Sequence, residues 1–170
     1  MRWLILVLAF FALPAVAEVR EAEKHFFMSH LGDFKEELDA ARSDGKLGVL
    51  IMFEMDECPF CSRMKATVLN QRVVQDYFRQ HFLIYPVDVK GDVPLVDFKG
   101  NETTEKAFAL SNRARATPAF IFFDLDGNAL TRFTGATKTV DEFMLLGRYV
   151  VEGVYKSMPF NVYKRQSSAP

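Results

Sequence analysis

The chain has 170 residues, a formal net charge of −1 at pH 7, 25% charged and 49% hydrophobic residues. A balance so near neutral gives no reason to expect nucleic acid or an anionic membrane surface as a partner. The length suits one domain with a proper core, and seventeen phenylalanines and only two cysteines say that this core is aromatic.

Met1-Arg2 gives a positive start, and Trp3 to Ala17 is an uncharged apolar run closing on Ala15-Val16-Ala17. That layout predicts a secretory signal peptide over residues 1–17, cleaved before Glu18. The run is shorter than the ~20 residues that span a bilayer, and Pro14 interrupts it. An uncleaved anchor is the alternative; without a cysteine here, a lipid-modified one is excluded. The sequence then divides into a domain over residues 18–160 and a C-terminal tail over 161–170.

Glu18 to His30 reads as an irregular or helical lead-in. Asp33 caps a helix carrying Phe34, Leu38 and Ala41, which stops at Asp44-Gly45. Leu47 to Phe53 is a continuous apolar run, the pattern of a strand buried on both faces. A helix, or a broken pair, then runs from Cys58 through Met64, Val68, Val73, Tyr77 and Phe78, with Pro59 in its first turn. Phe82 to Val89 is a second strand, and Pro86 either places it at a sheet edge or costs it pairing there. Lys90 to Thr103 is a polar stretch, followed by a short helix over Thr104–Asn112. Ala119–Phe123 and Ala129–Phe133 form a hairpin about Asp126-Gly127-Asn128, ended by Gly135. A last helix runs from about Thr139 to Lys156, and from Phe160 the tail docks one or two aromatics. The order predicts an α/β fold. Two parallel strands joined by a crossover helix and completed by the hairpin give a four-stranded mixed sheet, with room for a fifth strand.

The chemistry of the chain concentrates in Cys58-Pro59-Phe60-Cys61, its only two cysteines. A C-x-x-C at a strand-to-helix turn is a redox signature, since the sulfurs bond and part without refolding. Exported proteins commonly use cysteines as structural disulfides. Closing so small a loop removes little entropy from the unfolded chain, so this pair serves exchange.

Phe53 followed by Cys58-Pro59-Phe60-Cys61, then Thr117-Pro118-Ala119-Phe120-Ile121-Phe122-Phe123-Asp124, Asp126-Gly127 and Gly135, resembles the thioredoxin superfamily. Met52-Phe53-Glu54, Val87 to Asp92, Val96-Asp97-Phe98 and Thr104-Glu105-Lys106 are similar to the periplasmic thioredoxin-like proteins of the SoxW type, associated with bacterial sulfur oxidation. The resemblance implies a thioredoxin fold in the periplasm, a cis Thr117-Pro118 bond packed against the cysteines, and a cis-proline loop that receives an extended substrate segment.

On this footing Cys58, at the helix start, is the nucleophile that attacks a partner's disulfide. Cys61, more buried, resolves the mixed disulfide. No cofactor is needed beyond the redox-active Cys58–Cys61 disulfide, and no metal. Direction follows from charge. The strong oxidants of the Dsb type carry a histidine where this chain has Phe60. Glu54, Asp56 and Glu57 also disfavour a second anion, opposed by Arg63 and Lys65 within the helix. The expected activity is reduction of protein disulfides by a monomer that takes its electrons from a membrane thiol transporter. A disulfide isomerase or oxidase is the rival within this chemistry.

Two positions depart from thioredoxin. Met52 stands where thioredoxins carry a buried aspartate; Glu54, two residues on and on the same face, either substitutes for it or is a solvent-facing acid at the strand end. Glu57 replaces the tryptophan before the motif. A copper- or zinc-binding chaperone is the alternative of a different class. Met52, Met55 and Met64 flank the cysteines but such residues commonly fill a core, Arg113 and Arg115 occupy the place where copper chaperones of this fold carry a histidine, and zinc needs two further ligands.

Overall fold

The computed structural model describes residues 18–29 and 32–167. The predicted signal peptide lies outside them, and among the described residues no helix is long and apolar enough to cross a membrane.

The Leu47–Phe53 run forms strand β1 (Gly48–Glu54) after a four-residue helix α1 (Ala22–His25) and helix α2 (Phe34–Ser43). Asp33 caps α2 as predicted, its carboxylate accepting the Lys35 and Glu36 N–H groups at 2.9 and 3.0 Å. Helix α3 (Pro59–Thr67) follows the cysteine turn and α4 (Arg72–His81) follows α3. This is the broken pair: the Met64 carbonyl takes both the Val68 and Leu69 N–H groups, and the Asn70 amide caps the Ala66 carbonyl. Strand β2 (Phe82–Asp88) then runs parallel to β1, with Pro86 opposite Met52 at the sheet edge. A short antiparallel pair, β3 (Pro94–Val96) and β4 (Glu102–Thr104), leads into α5 (Glu105–Ser111), and the hairpin β5 (Ala119–Phe123) and β6 (Ala129–Thr134) precedes α6 (Val140–Val151) and α7 (Phe160–Ser167).

The main sheet has the order β2-β1-β5-β6, mixed and four-stranded, so this is the thioredoxin fold. Alternate side chains of its central strands feed two cores. Leu50, Met52, Ile84, Phe120 and Phe122 meet α3, α4 and α6; Val49, Ile51, Phe53, Leu83, Tyr85, Ile121 and Phe123 meet α2 and α5. Burial on both faces is why these strands read as unbroken apolar runs.

Three expectations are corrected. The polar stretch 90–103 contains the β3–β4 hairpin, its turn held by Asp97, whose carboxylate accepts the Lys99 and Asn101 N–H groups at 2.8 and 2.9 Å, while Leu95 is buried. The last helix ends at Val151, short of Lys156, because Gly153 adopts a left-handed φ of 71° and a 3₁₀ turn over Val154–Lys156 follows. The tail begins as a real helix. In α7, Phe160 and Tyr163 pack on Tyr149 of α6 with ring centroids 5.3 and 5.6 Å apart, and Phe160 also meets Phe133.

Gly48 starts β1 where only glycine fits. Its φ is 154°, and a Cβ there would lie 1.9 Å from the Phe123 carbonyl oxygen of the neighbouring strand. Gly45 also has a positive φ, 66°, but open space around it. Urea unfolding should therefore show Gly48→Ala losing about 3 kcal/mol, through overpacking against backbone, and Gly45→Ala about 1 kcal/mol, through its backbone conformation alone. Equal losses would contradict the close approach.

Candidate active site

β1 delivers the site because it ends where α3 begins. Cys58 is the N-cap of α3 in extended conformation, and Pro59 occupies the first turn, where its missing N–H costs nothing. The cap is the sulfur itself: Cys58 Sγ accepts the Cys61 backbone N–H at 3.1 Å. Cys58 and Cys61 form a disulfide, their Cα atoms 5.2 Å apart.

The second half of the site arrives at the start of β5. The Thr117-Pro118 peptide is cis, as the resemblance implied. The Thr117 hydroxyl donates to Cys58 Sγ at 3.3 Å, and the buried Pro118 carbonyl accepts the Gly135 N–H at 2.8 Å, which ties the loop to the end of the hairpin. Ala116 and Thr117 make no backbone hydrogen bond among the described residues. Beside the reactive sulfur they leave backbone N–H and C=O groups open in the bend that precedes β5. Sequence reasoning placed Thr117 here only as the neighbour of Pro118; its hydroxyl contact was not foreseen.

The two cysteines differ less than expected. Cys58 and Cys61 are each 3% exposed, so burial does not distinguish them in the disulfide state. What does distinguish them is hydrogen bonding: Cys58 Sγ receives both donors, from Cys61 N–H and Thr117 O–H. Together with the positive end of the α3 dipole, these stabilise negative charge on Cys58 once the bond opens. Phe60 stands 60% exposed at the crest of the turn.

Glu54 is not a solvent-facing acid. Its side chain is 16% exposed and shares a cavity of about 130 Å³ with Cys61, Ser62, Lys65 and Asp88. Burial pushes its carboxyl above the usual carboxylate range, against the pull of Lys65, whose Nζ lies 2.7 Å away. That pull is divided. Lys65 also pairs with Glu23 of α1 at 2.6 Å and lies over the Phe27 ring. Burial draws the Lys65 ammonium down, but hydrogen bonds to Glu23 and Glu54 outweigh it and hold it above its ordinary value. Lys65 was legible as a neighbour of Cys61, four residues on along one helix face. Glu23 was not, since nothing local links it to the motif.

Of the two cations expected to offset the acids, Lys65 offsets Glu54, whereas the Arg63 guanidinium donates to the Thr137 carbonyl at 3.2 Å. Asp56 and Glu57 are exposed and form no ion pair among the described residues. Met52 and Met64 are fully buried, and Met64 Sδ accepts the Thr137 hydroxyl at 3.5 Å. No group of three or more His, Cys, Asp or Glu among the described residues is placed to hold a metal ion.

The arrangement can therefore do one kind of chemistry well: open a disulfide, stabilise one sulfur as a thiolate, and take a proton from the other. None of the curated proteins matches the chain. Among solved structures it is similar to a thioredoxin-fold protein from Helicobacter pylori, at 19% identity and a TM-score of 0.63 over 85% of this chain and 92% of that one. It is similar to a thioredoxin from Thermus thermophilus, at 24% identity and a TM-score of 0.56 over 74% of this chain and 90% of that one. A structure described as DsbH oxidoreductase aligns at 15% identity and a TM-score of 0.56, over 74% and 85% of the two chains. The model of the thioredoxin-like domain matches residues 34–150, and the chain belongs to that family.

Proposed function

We propose that this protein is a thiol-disulfide oxidoreductase that reduces disulfides of partner proteins. The observation that carries the exchange chemistry is the pair of donors on Cys58 Sγ, one from its own helix and one from the loop of the cis-proline. The Cys58 thiolate attacks one sulfur of the partner's disulfide, forming a mixed disulfide and expelling the partner's other sulfur as a thiolate, which takes a proton from water. Cys61 then gives its proton to Glu54, across the cavity they share, and attacks Cys58 Sγ. The bond between Cys58 Sγ and the partner breaks, and the partner's second sulfur leaves as a thiolate that takes a proton from water while Glu54 releases its own to solvent. The partner is then a dithiol, and two electrons have passed to it. Cys58–Cys61 is left as a disulfide.

Three features favour donation of electrons over oxidation. Phe60 brings no charge to the pair, Arg63 and Lys65 are occupied by other partners, and Asp56 and Glu57 stand unpaired beside Cys58. All of these limit how far the thiolate is stabilised, and a less stabilised thiolate is the better reductant. The leader-like residues 1–17 support export. The likeness to SoxW-type proteins supports a periplasmic role beside sulfur oxidation, as a monomer re-reduced by a membrane thiol transporter.

Cys61→Ser should trap the partner as a mixed disulfide on Cys58, recoverable from the exporting cell and released by dithiothreitol. Recovery of no linked protein, with no insulin reduction by the wild-type chain, would contradict the reading. Glu54 accepts a proton only when ionised, so resolution should slow as pH falls through its raised pKa; Lys65, Glu23 and Asp88 are the charges that face it. Glu54→Gln should slow resolution about tenfold or more near pH 7, with the difference narrowing as pH rises and hydroxide takes over as the proton acceptor. An unchanged pH profile by stopped flow would remove Glu54 from the mechanism.

A further inference from the structure

The corner leading into the cis-proline carries Arg113 at a φ of 54°, the non-glycine residue with a left-handed backbone among the described residues. A bulky residue holds that conformation where its surroundings impose it. Arg132 of β6 does so: its guanidinium donates to the Asn112 carbonyl at 2.6 Å and the Arg113 carbonyl at 3.0 Å. The corner is thus fixed by a side chain of the neighbouring strand, and it displays charge. Arg113 and Arg115 are exposed, and neither guanidinium has an ion pair or hydrogen bond among the described residues.

Arg115 stands two residues before Thr117, whose hydroxyl touches Cys58 Sγ. Two residues of extended chain span at most about 7 Å. Asp56 and Glu57 precede Cys58 directly in the chain, exposed and without an ion pair among the described residues. Through Thr117, Cys58 is thus tied to a loop that carries a bare basic pair, and in the chain it follows a bare acidic pair. Unpaired surface charges act beyond contact range, over about one Debye length, ~10 Å at 0.1 M salt. Such an arrangement orients an incoming chain before any contact forms. The open backbone groups at Ala116 and Thr117 suit an extended polypeptide rather than a small anion, and Arg113 and Arg115 stand just before them in the chain.

We propose that Arg113 and Arg115, held by Arg132, select the partner: a protein whose target disulfide is followed, along the cis-proline edge, by a carboxylate-bearing segment. Asp56 and Glu57 disfavour a carboxylate beside the start of the cysteine turn. The proposal rests on the exchange reading above and names the substrate class of the same site.

The test uses the full chain in its dithiol form and three peptides that share one disulfide, flanked by glutamate, glutamine or lysine. At about 10 mM salt the glutamate peptide should be reduced roughly tenfold faster than the lysine peptide, and at about 500 mM salt roughly twofold faster. The double substitution Arg113→Glu with Arg115→Glu should invert the order. Equal rates for the three peptides, a preference that salt does not weaken, or an order unchanged in the double variant would overturn the proposal. Titrating the oxidised chain with the glutamate peptide reads the surface without the chemistry. Binding that weakens with salt and in the double variant supports the proposal even if no peptide is reduced, a result that would instead remove the exchange reading.

Discussion

The burial of β1 on both faces is the constraint from which the site follows. A strand flanked by β2 and β5 and covered by helices on both sides has no freedom to slide or tilt. Its last residue, Glu54, and the turn after it are therefore delivered to one place. β5 pairs with the same strand, with Phe53 opposite Ala119, so the residues just before β5 arrive at the same end of the sheet. Cys58 meets Thr117 because two adjacent strands share one register, although the two residues are 59 positions apart in sequence.

Electrostatics then divides the labour between two sulfurs that are equally buried. Cys58 is given donors, and Cys61 is given a neighbour able to take its proton. The ionic chain Glu54–Lys65–Glu23 binds the lead-in segment into this division, since α1 supplies the second carboxylate on Lys65. A lysine shared between two acids holds neither as firmly as it would hold one, which is consistent with burial prevailing at Glu54.

Most of the scaffold was legible from hydrophobic patterning. The continuous runs 47–53 and 119–123 announced central strands, Asp33 announced its helix, and Pro86 announced an edge. What escaped was tertiary. Pro94-Leu95-Val96 is too short a run to signal a strand, and it forms one because Leu95 finds the second core and Asp97 folds the turn behind it. The end of α6 was set by Gly153, and the tail became a helix because Tyr149 offers rings for Phe160 and Tyr163 to stack upon. At the site, the cysteines and the Thr-Pro pair were visible as motifs. The even burial of the cysteines, the Thr117 hydroxyl bond and the reach of Glu23 depend on contacts between distant segments, and no local pattern encodes them.

The polarity of the Cys58–Cys61 pair decides between a reductase and an oxidant. Equilibrating the full chain against a glutathione buffer and reading its dithiol fraction measures that polarity directly. The expected result is a reduction potential closer to the roughly −270 mV of a thioredoxin than to the roughly −120 mV of the strong periplasmic oxidant. A potential near roughly −120 mV would mean that the Cys58 thiolate is held far more firmly than two hydrogen bonds, a helix end and unpaired acids allow, and would contradict the reductase reading.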